Sequence, residues 1–279
     1  MSRRWSVILG TFALVSGSLF AVAGGAGAAT AATASHHGTT SVRPGGARSG
    51  FVPGGLMQRP GGASARDRTV KNQTESTNWS GYAVTGSDGQ FNSVSSTWTE
   101  PAASCSGRRD KYAAFWVGLD GYNSDSVEQT GTDSDCAGRT PDYYGWYEMY
   151  PADPVYFNNP VEPGDSISAS VTFNSGSSTY TLTLTDSTQG WTQQEQIQES
   201  GLANSSAEVI TEAPSSETGV LPLADFATIN YGDSTANGSS MDAQSPTSII
   251  MVSQRGDQLD STGSMDSVGD FSNTWLASS

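Results

Sequence analysis

Histidine is almost missing from this sequence: of 279 residues only His36 and His37 are imidazoles, and both precede residue 72. From there on, Ser-His-Asp and Cys-His catalysis and histidine-ligated zinc are excluded, since each needs a group titrating near neutrality or a neutral nitrogen ligand. Lysine is as scarce. Lys111 is the one lysine after Lys71, so a Ser-Lys dyad would have a single candidate base. Charged residues make up 15% and hydrophobic ones 35%. The remainder is dominated by Ser, Thr, Asn, Gln and Gly, the balance of a secreted β-protein rather than a helical cytosolic enzyme. The one long apolar run, Val7 to Val22, has about sixteen residues and falls short of the roughly twenty that span a bilayer. The length suffices for a large all-β domain with a sizeable core.

Charge is divided along the chain. Residues 1–71 hold eight basic side chains (Arg3, Arg4, Arg43, Arg48, Arg59, Arg66, Arg68, Lys71) against one acid, Asp67, a net +7. Residues 72–279 hold five basic side chains against 27 acids, a net −22. So acidic a body repels phosphate backbones and anionic lipid, which argues against nucleic acid and membrane as partners and favours a basic peptide. Any catalysis in the body rests on carboxylates, amides or hydroxyls.

Residues 1–28 read as a secretory signal: Arg3-Arg4, the apolar run, then small residues with Ala26-Gly27-Ala28 and Ala32-Thr33-Ala34 as cleavage options. The expected product is soluble and extracellular. Residues 29–71 are Gly- and Pro-rich, basic and without periodicity, and cannot bury enough to fold alone. They are either a disordered linker or a basic propeptide held against the acidic body by charge and released in acid. Asn72, Asn78, Asn204 and Asn237 begin Asn-x-Ser/Thr sequons.

Residues 72–279 form the third segment, where the pattern turns to strands. Ile167–Phe173 and Tyr180–Thr185 alternate strictly around the turn Asn174-Ser-Gly-Ser177, a hairpin with one apolar face. Further strands are expected at 79–84, 94–99, 113–119, 127–131, 143–150, 191–196, 208–211, 226–231, 249–252 and 271–276. Short strands punctuated by Gly, Asn and Asp turns predict an all-β antiparallel β-sandwich, jelly-roll-like, of two packed sheets. Cys105 and Cys136 are expected to pair in an oxidising compartment, a link of about 3 to 4 kcal/mol in the chain-entropy model.

The period of two sorts side chains by face. Phe115, Val117 and Leu119 face a core, while Trp116, Gly118 and Asp120 share the other side. That side is either a ligand wall with a gap for close approach or a sandwich Trp beside an exposed turn acid. Gln129 and Asp133 lie opposite Glu128 and Thr130. Glu148 falls within an aromatic row with Tyr144, Trp146 and Tyr150, as a rim charge or as a site carboxylate tuned by burial. Glu208 and Glu212 are four apart on one strand face, where the pattern by itself expects solvent-exposed charges.

Taken in order, Asn78-Trp-Ser-Gly-Tyr82, Trp98-Thr-Glu-Pro101, Trp116-Val-Gly-Leu-Asp-Gly121, Val127-Glu-Gln-Thr-Gly131, Trp146-Tyr-Glu-Met-Tyr-Pro151, Ala207-Glu208 and Leu223-Ala-Asp-Phe226 resemble the glutamic peptidases, or eqolisins, over roughly residues 76–276. The resemblance implies a pepstatin-insensitive acid endopeptidase on a two-sheet sandwich, with a Gln/Glu dyad and a removable basic propeptide. Gln129 falls on the catalytic Gln and Glu208 on the catalytic Glu. Trp116, Asp120 and Glu148 fall on groove positions that bind substrate or support the dyad, and Asp133 and Glu212 on acids near the site. Family members often carry Trp after the catalytic Glu, where this chain has Val209.

The expected mechanism has Glu208 as general base on water and Gln129 stabilising the oxyanion, with no metal and no cofactor. The expected partners are polypeptide substrates and the chain's own propeptide, with the enzyme a monomer. A carbohydrate-binding jelly roll, or a glycoside hydrolase using Glu148 and Glu208, are the alternatives.

Overall fold

The computed structural model describes residues 55–60 and 72–279. The signal segment and most of the basic Gly/Pro-rich segment, residues 29–71, lie outside the described residues. Along the chain the strands are β1 (Gln73–Ser76), β2 (Trp79–Thr85), β3 (Ser93–Thr99), β4 (Ala114–Leu119), β5 (Val127–Ala137), β6 (Thr140–Tyr150), β7 (Val155–Tyr156), β8 (Ser166–Asn174) and β9 (Thr179–Asp186). They continue with β10 (Trp191–Gln198), β11 (Ser206–Glu212), β12 (Ser215–Ser216), β13 (Gly219–Val220), β14 (Thr228–Ala236), β15 (Ser239–Ser240), β16 (Thr247–Val252), β17 (Gln258–Thr262) and β18 (Phe271–Trp275). A 3-10 turn, Met241–Gln244, is the one helical element among the described residues.

The strands follow one hydrogen-bonded path, β10-β9-β8-β3-β14-β18-β17-β16-β2-β11-β4-β5-β6-β7. Folded on itself, this path makes the expected sandwich: β10, β9, β8, β3 and β14 form one layer, β16, β2, β11, β4, β5, β6 and β7 the other, with β18 and β17 as the closing edge. Nearly all pairings are antiparallel; β1 joins β16 in parallel. Alternation explains what lies between the layers. Phe115, Val117, Leu119, Ala207 and Val209 meet Val94, Trp98, Ile167, Val171, Tyr180, Leu182 and Leu184 in one apolar core. Burial of that area is the main stabilising contribution.

The same alternation gives the outer face of the second layer a second apolar cluster: Trp79, Ala83, Ala114, Trp116, Val127, Tyr144, Trp146, Ile210 and Ile249. An outward face with three tryptophans needs a cover. Leu56, Met57, Tyr122, Tyr150 and Tyr156 pack partly buried against it.

Cys105 and Cys136 are bonded, tying the approach to β4 to the far end of β5. Of the four sequons, Asn78 and Asn204 are buried and engaged in hydrogen bonds, leaving Asn72 and Asn237 at the surface.

Candidate active site

Strand register assembles the site. Glu208 on β11 stands opposite Gly118 on β4, Gly118 opposite Gln129 on β5, and Gln129 opposite Glu148 on β6. Directly paired residues point to the same face, so Glu208, Gln129 and Glu148 form one row on the outer face with a gap at Gly118. Adjacent strands are ~4.8 Å apart, which sets the Glu208 and Gln129 backbones ~10 Å from each other across that gap. Two residues along the strands runs a second row, Ile210, Trp116, Gly131 and Trp146, and two further a third, Glu212, Ala114, Asp133 and Tyr144.

Glycine is needed twice. A Cβ at Gly118 would lie 2.9 Å from the Trp116 ring and 3.2 Å from the Gln129 Cβ, and a Cβ at Gly131 would lie 2.6 Å from the Trp116 Cβ. The edge of the Trp116 indole therefore fills the space Gly118 vacates, and the Phe115 carbonyl and the Trp116 Cα and Cβ fill that of Gly131. The indole edge meets Trp79 with ring centroids 4.9 Å apart, and the indole Nε1 donates to Glu212 Oε2 at 2.9 Å.

Gln129, Glu148 and Glu208 have no exposed surface. Gln129 donates from Nε2 to Glu148 Oε2 at 2.7 Å, which fixes the plane of the carboxamide. Burial raises the Glu148 carboxyl well above the usual range, and the nearby Glu212 charge adds to this, while the Gln129 hydrogen bond opposes it. Burial also raises Glu208 strongly. Neither Glu208 oxygen accepts a hydrogen bond; the Ser206 hydroxyl lies near enough to favour the charged form, and the Asp120 and Glu128 charges disfavour it. Glu212 is pushed up to about 8 by burial, against donors from Trp116, Gly55 and Asn78.

The described part of the basic segment crosses this face. Gly55 donates its N–H to Glu212 Oε1 at 3.1 Å and accepts from Trp79 Nε1 at 3.1 Å. Asn78 donates to the Leu56 carbonyl at 3.0 Å and accepts from the Gln58 N–H at 2.7 Å. Met57 N–H reaches the Gly121 carbonyl at 3.3 Å. Arg59 donates to the Thr74 hydroxyl at 3.2 Å and to Asn123 at 3.5 Å, and lies over the Tyr122 ring. Backbone hydrogen bonds and apolar packing, with a neutral set of partners for the guanidinium, hold this stretch.

A model of the Peptidase A4 family matches residues 77–272. The chain belongs to the peptidase A4 family. Among solved structures, scytalido-glutamic peptidase with a peptide-based transition-state analogue is 28% identical, with 72% of this chain and 98% of that one covered at a TM-score of 0.60. SCP-B, of the eqolisin family, in complex with the tripeptide Ala-Ile-His, is 25% identical with 72% and 98% covered at 0.57. Aspergilloglutamic peptidase from Aspergillus niger is 26% identical with 60% and 99% covered at 0.53. No curated protein matches. The chain is thus a glutamic endopeptidase on the fold these enzymes share.

Within the peptidase, the structure brings Gln129, Glu148 and Glu208 into one row and sets Trp116 and Glu212 beside it. Asp133 lies on the same face in the row of Glu212, and Asp120 lies past the end of β4, where its charge bears on Glu208; both side chains are spent on the scaffold. Asp120, at φ 71, accepts from Asn204 N at 2.6 Å and from Ser205 N at 2.8 Å, so it ties down the loop that leads into β11 and Glu208. Asp133 accepts from Trp146 Nε1 and the Tyr144 hydroxyl, each at 2.6 Å, and anchors the aromatic row. Val209 lies in the core opposite Val117 and Tyr82, so the residue that replaces the family's usual Trp packs behind the groove and leaves the groove face of Glu208 unaltered. Sequence reasoning missed Asn78, Trp79 and the Gly55–Gln58 backbone as site components. Asn78-Trp79 entered only as part of a motif, and the 55–60 stretch carries no periodicity that marks it.

Proposed function

We propose that the peptidase hydrolyses peptide bonds at acidic pH through Glu208 and Gln129. The observation that carries this reading is the row in which Gly118, without a side chain, separates a carboxylate from a carboxamide on one face. Ionised Glu208 takes a proton from water as the water oxygen bonds to the scissile carbonyl carbon. The Gln129 carboxamide, held in plane by Glu148, donates to the developing oxyanion with an N–H that does not titrate. Protonated Glu208 then returns its proton to the amine nitrogen as the C–N bond breaks. The scytalido-glutamic peptidase complex with a transition-state analogue supports a peptide-processing groove on this fold.

Covered, Glu208 has its carboxyl raised well above the usual range by burial, which disfavours the ionised form the base needs. Opening the groove to water returns its ionisation toward the ordinary carboxylate range near 4, which makes acid the working range. Residues 55–60 lie where an extended chain would cross the face, which supports reading the basic segment as a propeptide that leaves before substrate enters. The leader supports secretion, and nothing in the proposed chemistry calls for a partner subunit. The glycosidase alternative has less support, because Gln129 stands between Glu148 and Glu208.

The test is digestion of a denatured protein at pH 3 to 5 by the activated wild type and by Glu208→Gln, with and without pepstatin. Cleavage by the wild type, unaffected by pepstatin and lost in the variant, is expected. Equal cleavage by both proteins would overturn the assignment.

A further inference from the structure

One buried carboxyl has no part in that chemistry. Glu128 precedes Gln129 on β5 and faces the other way, into the space between the layers. It pairs with Leu119, which pairs in turn with Ala207, so it sits directly behind the Glu208–Gly118–Gln129 row. It has no exposed surface, and neither of its oxygens is within hydrogen-bond geometry of a partner, though Ser126 and its own N–H lie near enough to favour the charged form and Asp120 near enough to disfavour it. The titratable groups that face it are Asp120 after β4, Glu208 on β11 and Tyr180 on β9, with Glu199 beyond Tyr180. All are acidic.

These elements meet at a junction that fixes Glu208. Asp120 holds the Asn204 and Ser205 amides and gives its own N–H to the Ser206 carbonyl. The Tyr180 hydroxyl donates to the Asn204 side chain at 2.9 Å. Both oxygens of Asp120 are committed as acceptors to those amides. A negative charge at Glu128 would be buried beside the Asp120 carboxyl with no cation to pair it, a costly arrangement in a protein interior.

We propose that Glu128 is a positioning residue for the dyad: neutral, it lets the β4 end, β5 and the 203–206 loop close behind Glu208, and its ionisation pries that junction open and sets the upper pH limit of the enzyme. Burial, followed by the Asp120 charge, lifts its carboxyl to about 8, which agrees with a neutral group throughout acid and a charged one in mild alkali. The activity part of this proposal rests on the peptidase reading above; the structural part does not.

The experiment compares wild type, Glu128→Gln and Glu128→Leu, the last a replacement suited to Leu119 and Ala207 as neighbours. Each is assayed for melting temperature from pH 4 to 8, amide exchange at Asn204 and Ser205, and the alkaline limb of activity. Between pH 4 and pH 8 both variants should lose less melting temperature than the wild type, by about 5 °C or more. At pH 8 their Asn204 and Ser205 amides should exchange at least about tenfold more slowly, and the alkaline limb should move up by a pH unit or more. If the three proteins share one pH dependence of melting and exchange, the proposal is overturned. Shifted melting and exchange with an unmoved activity limb would overturn the link to the dyad. Absence of cleavage in all three, with melting and exchange still shifted, would count against the peptidase reading and leave the Glu128 linkage supported.

Discussion

Replacing Gly118 with alanine adds one methyl group to the lane between Glu208 and Gln129. That methyl would sit 2.9 Å from the Trp116 ring, 3.2 Å from the Gln129 Cβ and 3.2 Å from Val127 Cγ1. None of the three yields easily. Trp116 is held by its bond to Glu212 and its edge contact with Trp79, and the Gln129 Cβ moves only with the β5 backbone. Gly118 lies outside the left-handed region, so alanine imposes no backbone strain and the effect is steric alone. Relief by a few tenths of an ångström must come from β4 and β5 moving apart. Overpacking of this kind costs about 1 to 3 kcal/mol, or roughly 3 to 10 °C in a domain of this size. A displacement of the oxyanion donor approaching 1 Å costs up to about a hundredfold in rate. Thermal melts followed by circular dichroism, and kcat/KM on a denatured protein or peptide substrate at pH 4, measure both. A Gly118→Ala enzyme that melts within 1 °C of wild type and retains activity within twofold would refute the idea that the row depends on that gap.

Two further outcomes follow from the same geometry. Trp116→Phe removes a donor to buried Glu212 and should destabilise the enzyme by about 1 to 3 kcal/mol, read as a lower melting temperature; an unchanged value would show that the indole N–H contributes nothing there. Stability should be greatest in acid. Glu100, buried among Thr132, Ser134 and Trp98, is pushed up to about 7 by that burial, and Glu128 and Glu212 to about 8, whereas in the unfolded chain they ionise near 4.3. Below that value the folded and unfolded states bind the same protons. As pH rises toward 7 to 8 only the unfolded state releases them, so stability should fall by about 1.4 kcal/mol per group for each pH unit. Denaturant titrations at pH 4, 6 and 8 check the sign, and stability that rises toward pH 8 would contradict it.

The sandwich was legible because alternation of apolar and Ser/Thr residues survives even in a polar sequence. The hairpin read at 167–185 matches β8 and β9 closely. Reading failed where polar residues are buried by hydrogen bonding rather than exposed. β5 runs on past Gly131 to Ala137 through Thr132, Ser134, Asp133 and Asp135, whose side chains meet Glu100 and Tyr144; a hydrophobic pattern cannot register that compensation. β1 and β17, Gln-Thr-Glu-Ser and Gln-Leu-Asp-Ser-Thr, were passed over for the same reason. β14 begins at Thr228 rather than Phe226 because Ala227, at φ 57, breaks the extended chain. In the site, alternation gave each strand its groove face, but which residue stands beside which depends on register between strands far apart in sequence. The place of Gly118 between Glu208 and Gln129, and the hydrogen bonds that tie Asp120 and Asp133 to the scaffold beside the site, became visible only with that register.

The most direct test of the central claim is the turnover of Gln129→Ala against wild type at pH 4, with Glu148→Gln in parallel. Loss of a single oxyanion donor lowers kcat by about 10²- to 10³-fold with little change in KM, and Glu148→Gln, which disturbs only the orientation of that donor, should lose less. A Gln129→Ala enzyme that turns over at the wild-type rate would contradict the account.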